Sequence, residues 1–157
     1  MLFRSVEQKL LEKGVPAYVL DGDNLRHGLN ADLGFSMADR AENLRRLAHV
    51  ATLLADCGNV VLVPAISPLA EHRALARKVH ADAGFDFVEV FCDTPLADCE
   101  RRDPKGLYAK ARAGEITHFT GIDSPYQRPK NSDLRLTPVR TLDEQAQLVI
   151  DLLELRP

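Results

Sequence analysis

Residues 17–26 read Ala-Tyr-Val-Leu-Asp-Gly-Asp-Asn-Leu-Arg, an apolar strand that runs into two carboxylates and an arginine. In an open α/β sheet, ligands sit at the carboxyl ends of strands. There Asp21 and Asp23, with Gly22 bending the backbone between them, could hold Mg²⁺ or take a proton from a hydroxyl. Arg26 could clamp a phosphate. A lone Asp at such a place usually just caps the next helix. Asp-Gly-Asp-Asn followed by Arg26 and His27 reads better as a ligand site.

Further groups could join them. Arg40 and Asn43 are three residues apart and share a helix face, so they could grip an oxyanion beside Arg26. Arg45 and Arg46 read as a solvated face. Phe35 is either a core residue or a platform for a flat base. Ile66-Ser67 follows an apolar strand, and Ser67 could hold an anion with the helix amides or merely cap the helix. Arg101, Arg102 and Lys105 form a basic cluster, either solvated surface or a nucleotide contact. Phe119 offers an aromatic tip inside a long Gly-, Pro-, Thr- and Ser-rich stretch. The histidines show no metal-ligand spacing. No Gly-x-x-x-x-Gly-Lys-Ser/Thr phosphate loop occurs in the 157 residues.

The elements that must position these groups follow from periodicity. Val6, Leu10 and Leu11 predict a helix over 5–13, stopped by Gly14. Strands are expected at 16–20, 60–63, 85–91 and 134–137. A long helix opens at Ser36, carries Leu44, Leu47, Ala51 and Leu54 on one face, and ends at Gly58. Pro68 suits the first turn of a helix over 68–83. Shorter helices are expected at 95–102 and 107–113, and a last one at 142–155. Residues 114–131 read as a mobile lid loop. Strands alternating with helices predict a parallel sheet with crossover helices, and one domain over 1–157.

Composition sets bounds. A net charge of −3 argues against nucleic acid as a bulk electrostatic partner. No apolar run approaches the roughly 20 residues that span a bilayer. An odd count of three cysteines, Cys57, Cys92 and Cys99, favours reduced thiols packed as small apolar side chains, and a cytoplasmic setting.

Taken together, residues 20–30, 32–36 (Asp-Leu-Gly-Phe-Ser), 39–46 (Asp-Arg-Ala-Glu-Asn-Leu-Arg-Arg), 64–68 (Pro-Ala-Ile-Ser-Pro), 103–108 (Asp-Pro-Lys-Gly-Leu-Tyr) and 119–126 (Phe-Thr-Gly-Ile-Asp-Ser-Pro-Tyr) resemble the adenylylsulfate kinase family. The motifs stand in family order from about Val6 onward. The resemblance implies a three-layer, P-loop-kinase-like α/β fold with a mainly parallel sheet flanked by helices. It implies transfer of the ATP γ-phosphoryl group to the 3′-hydroxyl of adenosine 5′-phosphosulfate. Asp21 would lie near Mg²⁺ and the accepting hydroxyl, with Asp23 in support. Arg26, Phe35, Arg40, Asn43, Ile66, Ser67, Lys105 and Phe119 would bind substrate, and Arg101 and Arg102 would face ATP. Ser67 matches a position labelled a phosphoserine intermediate, although direct in-line transfer is the expected route. A homodimer, and fusion or association with a sulfate adenylyltransferase, are implied partners. The absent phosphate loop is the departure. It leads to the expectation of an N-terminally incomplete chain with impaired activity, or else of a non-catalytic module that binds adenosine phosphosulfate.

Overall fold

The computed structural model describes residues 1–154. In chain order these form α1 (Leu2–Glu12), β1 (Ala17–Val19), α2 (Gly22–Arg26), α3 (Met37–Asp56), β2 (Val60–Leu62), α4 (Ala70–Asp82), β3 (Val90–Cys92), α5 (Leu96–Arg102), α6 (Leu107–Arg112), β4 (Leu134–Leu136) and α7 (Leu142–Glu154). Leu155, the expected end of the last helix, lies outside the described residues.

Both strand pairs are parallel, β1 with β2 (Val19 opposite Leu62) and β3 with β4 (Cys92 opposite Leu136). No ladder joins β2 to β3 among the described residues. The expected parallel sheet is therefore present as two pairs over a common core. Alternation along the strands divides the side chains between two helix layers. Val19 and Leu62 meet Val6 and Leu10 of α1 and Val149 and Ile150 of α7. Leu20, Val61 and Val63 face Leu47 and Ala51 of α3 instead. On the α1 side, the Glu7 carboxylate accepts the Val19 amide at 2.8 Å and an Arg4 N–H at 2.8 Å. Burial pushes the Glu7 carboxyl up, but these two hydrogen bonds outweigh it and hold it below its ordinary value.

Helix starts follow local chemistry. Ser36 caps α3 by accepting the Asp39 amide at 3.1 Å, as its place in the sequence predicts. Several expectations need correction. The helix expected from Pro68 begins at Ala70, with Leu69 at its N-cap. Pro68 lies outside it, and its carbonyl instead accepts the Gln127 amide at 2.8 Å. The strand expected over 85–91 is laddered only at Val90–Cys92, because β4 offers three residues to pair with. Cys57 and Cys92 are exposed rather than packed, and Cys99 is half-buried. Cys57 sits at the C-cap of α3, and Cys92 faces away from the core that takes Phe91.

Residues 114–131 are fastened at several points. Asp123 accepts the amides of His118 and Phe119 at 2.7 and 2.5 Å, closing a tight turn. These bonds hold its carboxyl below the ordinary range against the opposing effect of burial. Thr120 bridges Ser124, and Arg128 bonds Asp93 at 2.7 Å.

Candidate active site

The acceptor end of the fold lies where β1 and β2 deliver the chain, past Leu20 and Val63, into two turns. Past β1, Asp21 is the N-cap of α2 and its Oδ1 accepts the Asp23 amide at 2.9 Å. The capping reading of Asp21 is therefore met through Oδ1, and Oδ2 takes no part in the cap. Gly22 is no bend; it is the first residue of α2, and a Cβ there would meet only ordinary contact with Leu47 at 3.9 Å. Asp23 is exposed and lies 3.5 Å from the Lys105 ammonium, so the basic cluster after α5 reaches the carboxylate pair through Lys105. Arg101 turns to Asp98 at 2.7 Å. Arg102 is exposed in the last turn of α5. Among the described residues neither forms an ion pair with Asp21 or Asp23.

Arg26 folds back over the next loop. Its guanidinium donates to the carbonyls of Leu33 and Gly34 at 3.2 and 3.0 Å, and lies 4.4 Å from the Phe35 ring centroid. Phe35 is 65% exposed, which excludes the core reading and leaves a ring backed by a cation. Gly34 lets the loop run close to α3, since a Cβ there would stand 3.0 Å from the Asp39 carboxylate, which would have to shift. Arg40 donates from Nε to the Phe35 carbonyl at 3.0 Å and from a terminal nitrogen to the Thr120 hydroxyl at 3.2 Å. It thus touches the Phe35 loop and the 114–131 segment at once. The Asn43 side-chain oxygen accepts from the amide of Asn30, which is 0% exposed, at 3.0 Å.

Arg46, expected on a solvated face, does more than that. It forks onto Asp32 at 2.7 and 2.8 Å, reaches Glu42 at 2.8 Å and donates to the Leu29 carbonyl at 2.9 Å. Bonds from Arg45 and Arg46 hold the Glu42 carboxyl down at about 2, and Arg46 lowers that of Asp32 as well. Helical spacing from Glu42 was legible. The long-range partner Asp32, fourteen residues back, had no local signal.

Beyond β2, Ile66 is 67% exposed and Ser67 has φ +40°. That left-handed conformation costs a non-glycine residue about 1–3 kcal/mol and persists only where the surroundings hold it. Ser67 is not a helix cap, because α4 starts at Ala70 and has no side-chain cap. Sequence reasoning also missed Arg73, which donates to the Ser67 carbonyl at 2.8 Å. On the loop side, Phe119 meets Tyr108 edge-on at 5.0 Å. Asp103 accepts the Tyr108 and Ala109 amides at 3.1 and 3.0 Å, which anchors the start of α6.

Chemically, the site offers two carboxylates at a strand exit, a cation-backed aromatic ring, a second arginine and a strained serine turn. That suits an anionic ligand with a flat base and a hydroxyl to be deprotonated. Hard oxygen donors from one or two carboxylates also suit Mg²⁺, which takes most of its remaining ligands from phosphates and water. Among the described residues no three acidic, histidine or cysteine side chains converge on one point, so any such ion would depend on those other ligands.

Comparison with known proteins points the same way. The sequence profile described as "Adenylylsulphate kinase" matches residues 1–137. A "Bifunctional enzyme CysN/CysC" of Mycobacterium tuberculosis is 91% identical over 149 residues, 95% of this chain and 24% of that protein. A "Probable adenylyl-sulfate kinase" of Halalkalibacterium halodurans is 51% identical over 150 residues, 95% of this chain and 71% of that protein. A solved structure, "Structure of the Mycobacterium tuberculosis APS kinase CysC in complex with AMPPNP and APS", superposes with TM-score 0.96 at 88% identity, covering 98% of this chain and 88% of that one. The chain spans about a quarter of the length of the bifunctional relatives it matches.

Proposed function

The chain belongs to the adenylylsulfate kinase family, and on that premise we propose that it is the acceptor-binding part of a kinase that phosphorylates the 3′-hydroxyl of adenosine 5′-phosphosulfate. The observation that carries the reading is the frame of Arg26, Phe35, Arg40 and Asn43 beside the open carboxylates Asp21 and Asp23. Phe35 stacks on adenine while Arg26 supports the ring from behind. Arg40 and Asn43 hold the phosphosulfate, and Ile66 and Ser67 line the far wall. Asp21 accepts the 3′-hydroxyl proton as the hydroxyl oxygen bonds to the γ-phosphorus of ATP. ADP leaves with the electrons of the broken bridge bond. Positioning and charge neutralisation supply most of such a rate enhancement.

ATP is the co-substrate and Mg²⁺ the ion, with Asp21 its holder and Asp23 in support. Held there, the ion would supply charge neutralisation on the phosphates. Lys105 and Phe119 complete the acceptor side, Arg101 and Arg102 the ATP side, and residues 114–131 the lid that excludes water. Ser67 is a wall residue in this in-line route rather than a phosphorylated intermediate. Residues 1–157 act as one unit, in the cytoplasm, as a homodimer and in association with or fused to a sulfate adenylyltransferase. No helix among the described residues is long and apolar enough to cross a membrane.

A second reading rests on one observation. The described residues gather the acceptor constellation, while Arg101, expected on the ATP side, pairs with Asp98 instead, which suits a module that binds adenosine phosphosulfate without turning it over. Calorimetry with adenosine 5′-phosphosulfate, AMP and Mg-ATP, followed by an assay for 3′-phosphorylated product, tests both. Binding that prefers the phosphosulfate over AMP, with little product from this chain alone, is expected. Equal or no binding of the two nucleotides overturns the acceptor assignment. Product at an ordinary enzymatic rate overturns the impaired-chain expectation and the second reading together.

A further inference from the structure

Ser67 is strained, with φ +40°, and the hydrogen bonds that hold its turn come from Arg73 and Gln127. The restraint comes from across the fold. Arg73, one turn into α4, points back and donates one N–H to the Ser67 carbonyl and another to the Gln127 carbonyl, both at 2.8 Å. Its Nε lies 3.0 Å from Glu89, just before β3, and the Arg73 side chain is only 11% exposed. Gln127 answers from the other side. Its amide donates to the Pro68 carbonyl at 2.8 Å, and its side-chain oxygen accepts the Ala70 amide at 2.8 Å. Four hydrogen bonds thus tie the turn over 67–70 to the exit of the 114–131 segment, with Glu89 balancing the charge.

We infer that Arg73 is a positioning residue: with Gln127 it sets the Ile66-Ser67 wall of the acceptor site and couples that wall to the base of the 114–131 loop. The inference rests on the acceptor-site reading above for its effect on binding, but not for the coupling itself. Arg73 has no part in the ligand frame of Arg26, Phe35, Arg40 and Asn43. It acts through the Ser67 carbonyl, whose peptide fixes where the Ser67 side chain and the exposed Ile66 point. The planar guanidinium fork is what the job needs. A lysine keeps the charge beside Glu89 but presents a single flexible ammonium that cannot reproduce the two-carbonyl geometry.

The test uses this chain with three variants: Arg73→Lys, Gln127→Ala and the double variant. Titration with adenosine 5′-phosphosulfate is paired with ¹H–¹⁵N spectra of the free proteins. Arg73→Lys is expected to weaken binding about tenfold, the scale of one charged hydrogen bond made imperfectly. Its spectrum is expected to shift the amides of Ile66, Ser67, Leu69 and Ala70 and that of Gln127 together. The double variant should bind no worse than Arg73→Lys, because both changes release the same turn. Additive losses with those turn amides unmoved would overturn the inference, since general destabilisation has no reason to spare that turn. If the unaltered chain binds no adenosine 5′-phosphosulfate, the acceptor reading fails. The amide shifts then decide the coupling alone: joint movement of the turn amides and that of Gln127 supports it, and unmoved amides reject it.

Discussion

Two parallel strand pairs each present an aspartate at or just past a strand end, and the two acids have opposite fates. Asp21, two residues past β1, is half-exposed, bonds one backbone amide and has no paired cation among the described residues. Asp93, one residue past β3, is 7% exposed and clamped by Arg128 at 2.7 Å and Arg135 at 2.5 Å. Position at a strand end therefore does not make a carboxylate a ligand group. What matters is whether the fold has already spent its charge on internal partners. Asp93 pins the exit of the 114–131 segment to the sheet, whereas Asp21 commits one oxygen to a helix cap and leaves the other outside it.

The largest expected effect breaks the closed side of this contrast. Asp93→Asn should cost about 2–3 kcal/mol in urea unfolding, less than severing a fully buried pair because both guanidinia reach solvent. Asp21→Asn should cost under about 0.5 kcal/mol, since Asn caps a helix as well as Asp. It should nevertheless abolish Mn²⁺-induced line broadening at residues 21–23 in the presence of nucleotide. Equal stability losses in the two variants would erase the distinction.

Next comes the ligand frame. Phe35→Ala should weaken adenosine 5′-phosphosulfate binding by about tenfold or more, the scale of one base stack. Its stability should change by less than about 0.5 kcal/mol because the ring is exposed. A loss of stability without a loss of affinity would return Phe35 to a packing role.

Arg46→Ala sharpens the comparison from the structural side. It should lower the melting temperature, since it removes the fork on Asp32 together with the Leu29 bond. Binding should fall only a few-fold, through loosening of the loop ahead of Phe35. Calorimetry on the same sample reads both.

The smallest effect is in pH. Glu42 is held at about 2 against an ordinary 4.5, so the folded state binds its proton less readily than the unfolded chain does. The stabilisation is fully present above about pH 4.5 and is lost as pH falls toward 2. The acid limb of a melting-temperature profile should be shallower in Glu42→Gln than in the unaltered chain. An identical limb would remove Glu42 from the account.

Much of this was legible locally. Ser36 announced α3, the strand cores at 17–19 and 60–62 carried β-branched or apolar residues, and Asp-Gly-Asp marked a strand exit. Arg26, Phe35, Arg40 and Asn43 stood out by type and spacing, and the fold gathers them around one loop. Less was legible where partners lie far along the chain. Arg46 was read as surface because Asp32 precedes its helix. Arg73 went unnoticed because Ser67 and Gln127 flank it by 6 and 54 residues. Ser67 was allowed a capping role that the later start of α4 removes.

Sequence by itself determined the residue types, the helix and strand periods and the motif set that places the chain in its family, because these depend on short-range spacing. Tertiary structure alone decided which strand-end acid stays open, which arginine supports a ring and which one holds a distant turn. Those outcomes depend on which charges meet across the fold, and burial and pairing, not residue identity, fix whether a carboxylate or guanidinium is left for a ligand.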